Sequence, residues 1–399
     1  MKFDYDVIVV GAGPGGSTAS RFCAQAGLKT LMIEKEHLPR YKPCGGCLSV
    51  KTVYLLNFDL TPVIENTIRG AKFTYLLKDP FFIHSETPIA YMVMRDRFDQ
   101  FLVEKALEKG AKILEGEKVS EIREGEDGIV VELMSGKSFR CECLIGADGP
   151  MSLVAKRLSL LPPDSNSGGF AVGSEVPIEE APLFPKNEFH LLHLDFGGVP
   201  NGYGWVFPKR EGLSIGIGGM FREQGKIKPR KYFNDFLGRL DYLGEKKVKM
   251  MGHPLLAFYD EGQRIAQGRI LLVGDAAHLM DPLQGEGIYY AIRSAMLATE
   301  AILQSKETGG VPSDLYQTAV HVHIFENLRW ALYFSRFVFR FTKLAYKTLK
   351  FYPELGQLYL QVLEGKETYQ SFVEKVKQRM KELLGGRLSQ KILRAMARI

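Results

Sequence analysis

No apolar run in this chain approaches the ~20 residues that a bilayer-spanning helix needs, which argues against a transmembrane protein. Cysteine is scarce, at five in 399 residues. An odd count without a secretory leader argues against a disulfide framework. The opening MKFDYDVIVVGAGPGG is not such a leader: its apolar stretch Val7–Val10 is too short, and no small-residue cleavage site follows a longer one. The expectation is a cytoplasmic protein. Internal repeats and low-complexity linkers are absent as well. Acidic charge is sparse in one place only. From His321 to Ile399 there are 15 Lys and Arg against 6 Asp and Glu, a local charge of +9 in a chain whose net charge is +6. The remainder is therefore −3, and the basic tail needs its own explanation.

A hydrophobic content of 45% and a charged content of 25% are those of an ordinary globular protein, long enough here for two or three domains. Asp4–Val10 reads as a buried parallel strand, Ser17–Ala26 as a helix stopped at Gly27, and Thr30–Ile33 as a second strand. Phe98–Lys109 reads as a helix stopped at Gly110, and Lys112–Leu114 and Ile129–Leu133 as strands. Between Gly168 and His253, short Gly- and aromatic-rich segments predict an antiparallel sheet. A buried strand then returns at Arg269–Val273, followed by a long helix over Gly287–Ser305, and from His321 onward only helices are expected.

Gly11-Ala12-Gly13-Pro14-Gly15-Gly16 falls between the first strand and the first helix. Gly11 permits a tight turn, Gly13 a close approach to a pyrophosphate, and Gly16 close helix–strand packing. The phosphates would sit on free amides at a helix N-terminus, where the dipole favours negative charge. Glu34, followed by Lys35, ends the second strand where an acid can accept from a ribose hydroxyl. Asp148 and Gly149 form a second turn, within Gly146–Pro150, and Gly274-Asp275 a third, with Gly285, Gly287 and Ile288 just beyond. A strand ending in Gly-Asp can bring a carboxylate to a ribityl or ribose hydroxyl, and amides to a flavin ring.

These three turns, in this order, resemble the FAD-dependent hydroxylase-type flavoproteins. Within them the chain is similar to the geranylgeranyl reductase family, through Tyr41-Lys42-Pro43-Cys44-Gly45-Gly46, Arg95-Asp96-Arg97-Phe98-Asp99 and Tyr203-Gly204-Trp205-Val206-Phe207-Pro208. The resemblance covers roughly residues 4–310. It implies an α/β fold: a Rossmann-like FAD-binding domain with an inserted antiparallel β-sheet substrate domain and a helical C-terminal region. The expected division is residues 1–72, 90–165 and 264–310 for FAD, 73–89 and 166–263 for the sheet domain, and 311–399 for the helices. FAD contacts are implied for Gly11–Gly16, Glu34, Lys35, Cys44, Gly45, Gly46, Arg95, Val119, Asp148, Gly149, Gly274, Asp275, Gly285, Gly287 and Ile288.

Cys44-Gly45-Gly46-Cys47 is also a CxxC. Zinc would want two further ligands, and Cys141-x-Cys143 is too tight for a usual second half, so no metal is expected. A thioredoxin-like pair is opposed by the flavin signature. The loop is either structural or a cover over the flavin with Cys44 or Cys47 facing substrate. Tyr203 and Trp205 share one strand face, either core or, with Phe207, the lining of an apolar substrate channel.

The resemblance implies a reductase that saturates C=C bonds of a polyprenyl, geranylgeranyl-type chain on a diphosphate, lipid or quinone. Cys44, Cys47 and Tyr203 are the candidate proton donors. A flavin monooxygenase or halogenase-like enzyme, and a membrane-associated flavoprotein electron carrier, are the alternatives. Only one complete dinucleotide fingerprint is present, which leaves the electron donor between NADPH and a ferredoxin-like protein. In the tail, Trp330, Phe334, Phe337, Phe341 and Leu344 recur at helical spacing, with Arg336, Arg340, Lys343 and Lys347 on another face. This is either a packed amphipathic helix or a surface for anionic lipid. No nucleic-acid reader motif accompanies the charge.

Overall fold

A computed structural model describes residues 2–160, 168–220, 228–243, 248–260 and 262–383. Its first sheet is built on Tyr5–Val10, whose last four residues are buried. That strand pairs in parallel with Ser138–Gly146 on one side and Thr30–Glu34 on the other. Lys112–Glu115 extends the sheet beyond Thr30–Glu34, and Ile270–Leu272 extends it beyond Ser138–Gly146. Strands covered on both faces must be apolar throughout, which is why Val7–Val10, Leu31–Ile33 and Ile270–Leu272 read as Val, Ile and Leu runs. Cys141 and Cys143 are buried members of one of them, and burial pushes the Cys143 thiol up to about 12.

The register decides where chemistry can occur. Val10 pairs with Gly146, and Gly146 pairs with Leu272. The three strands therefore end side by side, and the three glycine turns leave from one carboxyl edge, where doubly wound sheets bind ligands. Behind that edge lie the helices Pro14–Gln25 and Ile288–Thr308, longer than their sequence signals at the start of the first and the end of the second. Arg95–Leu107 likewise begins three residues before the expected Phe98.

The second sheet runs Met251–Leu256, Gly168–Pro177, Gly212–Met220, Gly202–Lys209, Leu191–Phe196, Gly70–Tyr75 and Lys78–His84 in spatial order. It is antiparallel as expected, except that Leu191–Phe196 and Gly70–Tyr75 pair in parallel. A small third sheet, Cys47–Ser49, Ala90–Val93 and Ile64–Ile68, carries the cysteine loop between the two larger ones.

The C-terminal region is helical, but the aromatic series from Trp330 to Leu344 does not lie on one helix. Glu326–Arg340 stops at Phe341, whose backbone turns out at φ −122° and ψ 40°, and Thr342–Phe351 starts afresh. Phe334 and Phe337 pack inward against the Tyr369–Leu383 helix, whereas Leu344 is exposed. Among the described residues no helix is long and apolar enough to cross a membrane.

A turn in the second sheet holds the Thr342–Phe351 helix in place. Leu76, Leu77 and Asp79 all sit at φ between 55° and 57°, a region that costs side-chain-bearing residues energy. The Asp195 carboxylate offsets that cost by accepting from Thr74 Oγ1 at 2.7 Å and Leu77 N at 2.6 Å. So fixed, the turn offers the Asp79 carbonyl to the Tyr346 hydroxyl and the Asp79 carboxylate to Lys350, docking the Thr342–Phe351 helix on the sheet. Burial raises the Asp195 carboxyl to about 6, against the hydrogen bonds it accepts. A carboxyl raised on folding favours the folded state while it is neutral, and that advantage fades as pH climbs through the folded value. The window therefore runs from about 4 to above 6. Asp195→Asn keeps the shared acceptor without the charge. It should leave thermal stability unchanged at pH 4 and raise it at pH 8 by roughly 1–3 kcal/mol. Equal midpoint shifts at both pH values would contradict this account.

Candidate functional site

At the first turn Gly11 has φ +99°, and a Cβ there would strike the Ala147 carbonyl of the second turn. A Cβ on Gly16 would strike the Gly11 carbonyl. The turns thus pack backbone on backbone, and only glycine fits. The Ala12 amide donates to Glu34 Oε2 at 2.9 Å, which fixes the acid across the turn. Arg40 Nε lies 3.6 Å from the same Glu34 oxygen, and the Arg40 guanidinium reaches Asp99 at 3.1 Å.

Asp99 is fully buried and receives both Arg95 nitrogens at 2.8 Å, a two-pronged pair spaced i, i+4 on one helix. Held this way, the Arg95 guanidinium lies against the Cys44 sulfur. The Cys44–Cys47 loop turns at Gly46, whose φ of +71° and contact with the Val93 carbonyl admit no side chain. Gly45 lies flat on the opposite wall, where a Cβ would meet the Phe207 ring at 2.9 Å. Cys47 is a neutral thiol pushed far up by burial, with Glu286 nearby adding to the effect.

Asp275 follows the third turn. Burial would raise its carboxyl, but Lys42 at 3.6 Å and His253 beside it prevail and hold it well below the usual carboxylate range. Beyond it the chain loops through residues 281–287. Glu286 in that loop pairs with the buried Lys51 ammonium at 2.8 Å and accepts from the Ser49 hydroxyl. Tyr203 donates its hydroxyl to the Gln284 carbonyl, and burial raises that phenol far above its ordinary value.

Arg95, the Cys44–Cys47 loop, Lys42, Asp275, Tyr203 and the 281–287 loop line one cavity of about 430 Å³, and the groups behind them fix their positions. Gly13, Gly15, Cys44, Asp275 and Gly287 line one part of it; Trp205, Phe73, Leu194, Phe337 and Leu349 line another. The polar part fits FAD. Its glycine turns leave amides open at a helix start, and the lining residues Trp205, His253 and Gln284 each carry a buried side-chain nitrogen, Nε1, Nε2 and Nε2, without a partner. No group of His, Cys, Asp and Glu suited to a metal ion occurs among the described residues.

Not every expected residue comes to this cavity. Gly11, Ala12, Gly16 and Glu34 do not line it and shape the turn from behind, the Glu34 carboxylate accepting the Ala12 and Glu36 amides. Val119 and Lys35 do not line it, and Lys35 is exposed. The Asp148 carboxylate faces its own following helix, accepting from Ser152 Oγ at 2.6 Å and Leu153 N at 2.7 Å, so the side chain caps rather than binds. Gly149 does line the cavity. Arg40, Asp99, Lys51, Asp281 and Glu286 went unassigned in sequence. The i, i+4 spacing of Arg95 and Asp99, and an acid set between two glycines at Gly285–Gly287, were the available signals.

Parallel-sheet turns that open onto an apolar channel under a second sheet define an FAD-dependent oxidoreductase. The family described as FAD binding domain matches residues 4–168 and 261–321, more than half of the chain. A protein of Methanosarcina barkeri is 32% identical over 370 residues, covering 92% of each chain. A digeranylgeranylglycerophospholipid reductase of Methanosphaera stadtmanae is 31% identical over 315 residues, covering 74% of this chain and 76% of the relative. A crystal structure of a geranylgeranyl bacteriochlorophyll reductase-like protein from Thermoplasma acidophilum superposes with a TM-score of 0.78 at 24% identity, over 94% of this chain and 98% of that one. The chain belongs to the geranylgeranyl reductase family of FAD-dependent oxidoreductases.

Removing the acid should loosen the cofactor. Glu34→Ala is expected to weaken FAD binding about 10- to 100-fold, the worth of a charge-assisted hydrogen bond. Titration of the apoprotein by flavin fluorescence measures it, and an unchanged Kd would remove Glu34 from the site.

Proposed function

We propose that the protein saturates C=C bonds of a polyprenyl chain drawn into the apolar part of this cavity. The observation that carries the proposal is continuity: the glycine turns and the aromatic wall line one cavity. An isolated alkene is a poor electrophile with no polar handle, so a site that reduces it must exclude water and fix the bond by shape. Trp205, Phe207 and Phe73, with Phe337 and Leu349 from the C-terminal helices, provide such a wall. The relative named for a digeranylgeranyl glycerophospholipid supports the same class.

FAD, when bound and reduced, supplies hydride to one alkene carbon. The chain must hold a proton for the other. Tyr203 and Cys47 are kept neutral by burial, the form an apolar channel accommodates without a counter-charge. The Cys44 sulfur lies beside the Arg95 guanidinium on the wall of the same cavity, between the glycine turns and the apolar part. Cys44 is thus the favoured donor, with Cys47 and Tyr203 holding the loop and wall around it.

Protein reduced with dithionite under anaerobic conditions should be reoxidised by a prenyl substrate, with product mass rising by about two daltons per bond reduced. Reoxidation by no prenyl diphosphate, glycerolipid or quinone, together with substrate-dependent oxygen uptake, would favour the monooxygenase reading instead.

The same reading gives the basic tail a role. Leu344 lines the cavity and is 41% exposed, which puts it at an opening. Arg336, Arg340, Lys343 and Lys347 are exposed on the two helices framing it. A mouth of this kind suits docking to an anionic lipid surface, from which a lipid-borne chain can enter. Arg340→Glu with Lys343→Glu should weaken binding to phosphatidylglycerol vesicles at least tenfold, on the order of 1 kcal/mol per cation lost. Equal cosedimentation of the variant and the unaltered protein would contradict this docking face.

A further inference from the structure

The 281–287 loop is held by an unusual anchor. Asp281 is fully buried within it. One carboxylate oxygen accepts the Leu283 amide at 2.7 Å and the Gln284 amide at 3.0 Å. The loop closes on itself, as Asp281 N donates to the Glu286 carbonyl at 3.0 Å and Gly285 N to the Asp281 carbonyl at 2.9 Å. The other carboxylate oxygen has its donor 88 residues further along the chain: the Tyr369 hydroxyl, 2.7 Å away. Tyr369 is itself fully buried at the start of the Tyr369–Leu383 helix, where its amide donates to Asn327 Oδ1 at 2.8 Å. At the far end of the loop, the Gln284 carbonyl accepts from Tyr203 on the channel wall.

We propose that Tyr369 is a positioning residue: through the Asp281 carboxylate it sets the 281–287 loop, and with it the Tyr203 hydroxyl, at the junction of flavin site and channel. The physical argument is one of satisfaction. A buried carboxylate needs donors for both oxygens, and the loop's own amides reach only one. Without the phenol the second oxygen is left bare, and the loop regains freedom to turn it toward water. The C-terminal helices thereby do more than wall the channel, because a side chain of theirs completes the loop. The inference rests on the FAD site and is independent of which alkene is reduced.

The test uses FAD-loaded Tyr369→Phe, compared with Val373→Ala. Val373 is fully buried in the same helix and is not among the groups that bond to Asp281, so its truncation loosens helix packing while leaving the hydroxyl in place. Amide hydrogen exchange at Leu283 and Gln284, FAD affinity and the fine structure of the bound flavin's visible bands are read together. The expected result is roughly tenfold faster exchange at both amides, roughly tenfold weaker FAD and altered visible bands in Tyr369→Phe. Val373→Ala should move none of the three beyond its general loss of stability. The same response in both variants, or none in Tyr369→Phe, overturns the proposal. A second route covers the case in which Tyr369→Phe does not fold. Asp281→Asn retains an acceptor for the two amides and a group the phenol can face, so it should keep the loop, whereas Asp281→Leu should release it. Equal exchange at Leu283 and Gln284 in those two variants would also overturn the proposal.

Discussion

Two contacts that contain no side chain govern this molecule: Gly16 against the Gly11 carbonyl, and Gly11 against the carbonyl of Ala147. They bring the first helix onto the first strand and the first turn onto the second. Everything polar in the site is measured from that corner. Glu34 reaches the Ala12 amide because the turn is tight, and Arg40 reaches Glu34 and Asp99 because Glu34 is fixed. Asp99 in turn aligns Arg95 with Cys44. A methyl group at either glycine would move backbone against backbone, which no flexible side chain can absorb.

From that corner the charge falls away in one direction. Arg40, Arg95, Lys42 and Lys51 each meet a carboxylate near the glycine turns or the cysteine loop. Past Gly45 and Phe207 the lining becomes aromatic and aliphatic. Buried ion pairs of this sort add little net stability, since desolvation offsets attraction. Their value here is placement: each fixes the position of a side chain or loop at the polar end of the cavity. The thiol and phenol at the boundary stay neutral for the same reason the wall beyond is apolar, namely that water is excluded from both.

How much of this was legible beforehand follows from the range of each interaction. The glycine turns, Glu34, Arg95 and Asp275 all lie at or just after a strand end, and a short pattern is enough to single such positions out. Asp148 misled because a Gly-Asp turn has two outlets for its carboxylate, a ligand or the next helix, and Ser152 selects the second. Val119 does not line the cavity, and no short motif around it fixes its distance from that space. The tail misled in a third way. Spacing of three and four continues across Phe341, yet the backbone leaves the helix there, so periodicity alone joined two helices into one.

The C-terminal helices were the least readable part and yet line one side of the cavity. Tyr369 carries no motif, since a single aromatic in an amphipathic helix is indistinguishable from core until the fold puts Asp281 opposite it. That opacity has a physical basis. A dinucleotide presents the same phosphates and hydroxyls in every enzyme that binds it, so its site demands the same residues at the same spacing. An apolar chain presents only volume, and many combinations of Phe, Leu, Val and Tyr enclose the same volume equally well. Recognition of the cofactor is therefore written in short strings at strand ends along the chain, whereas an apolar wall is spread over strands and helices whose sequence is free to vary so long as the helices keep docking on the Asp79 turn and on the Asp281 loop.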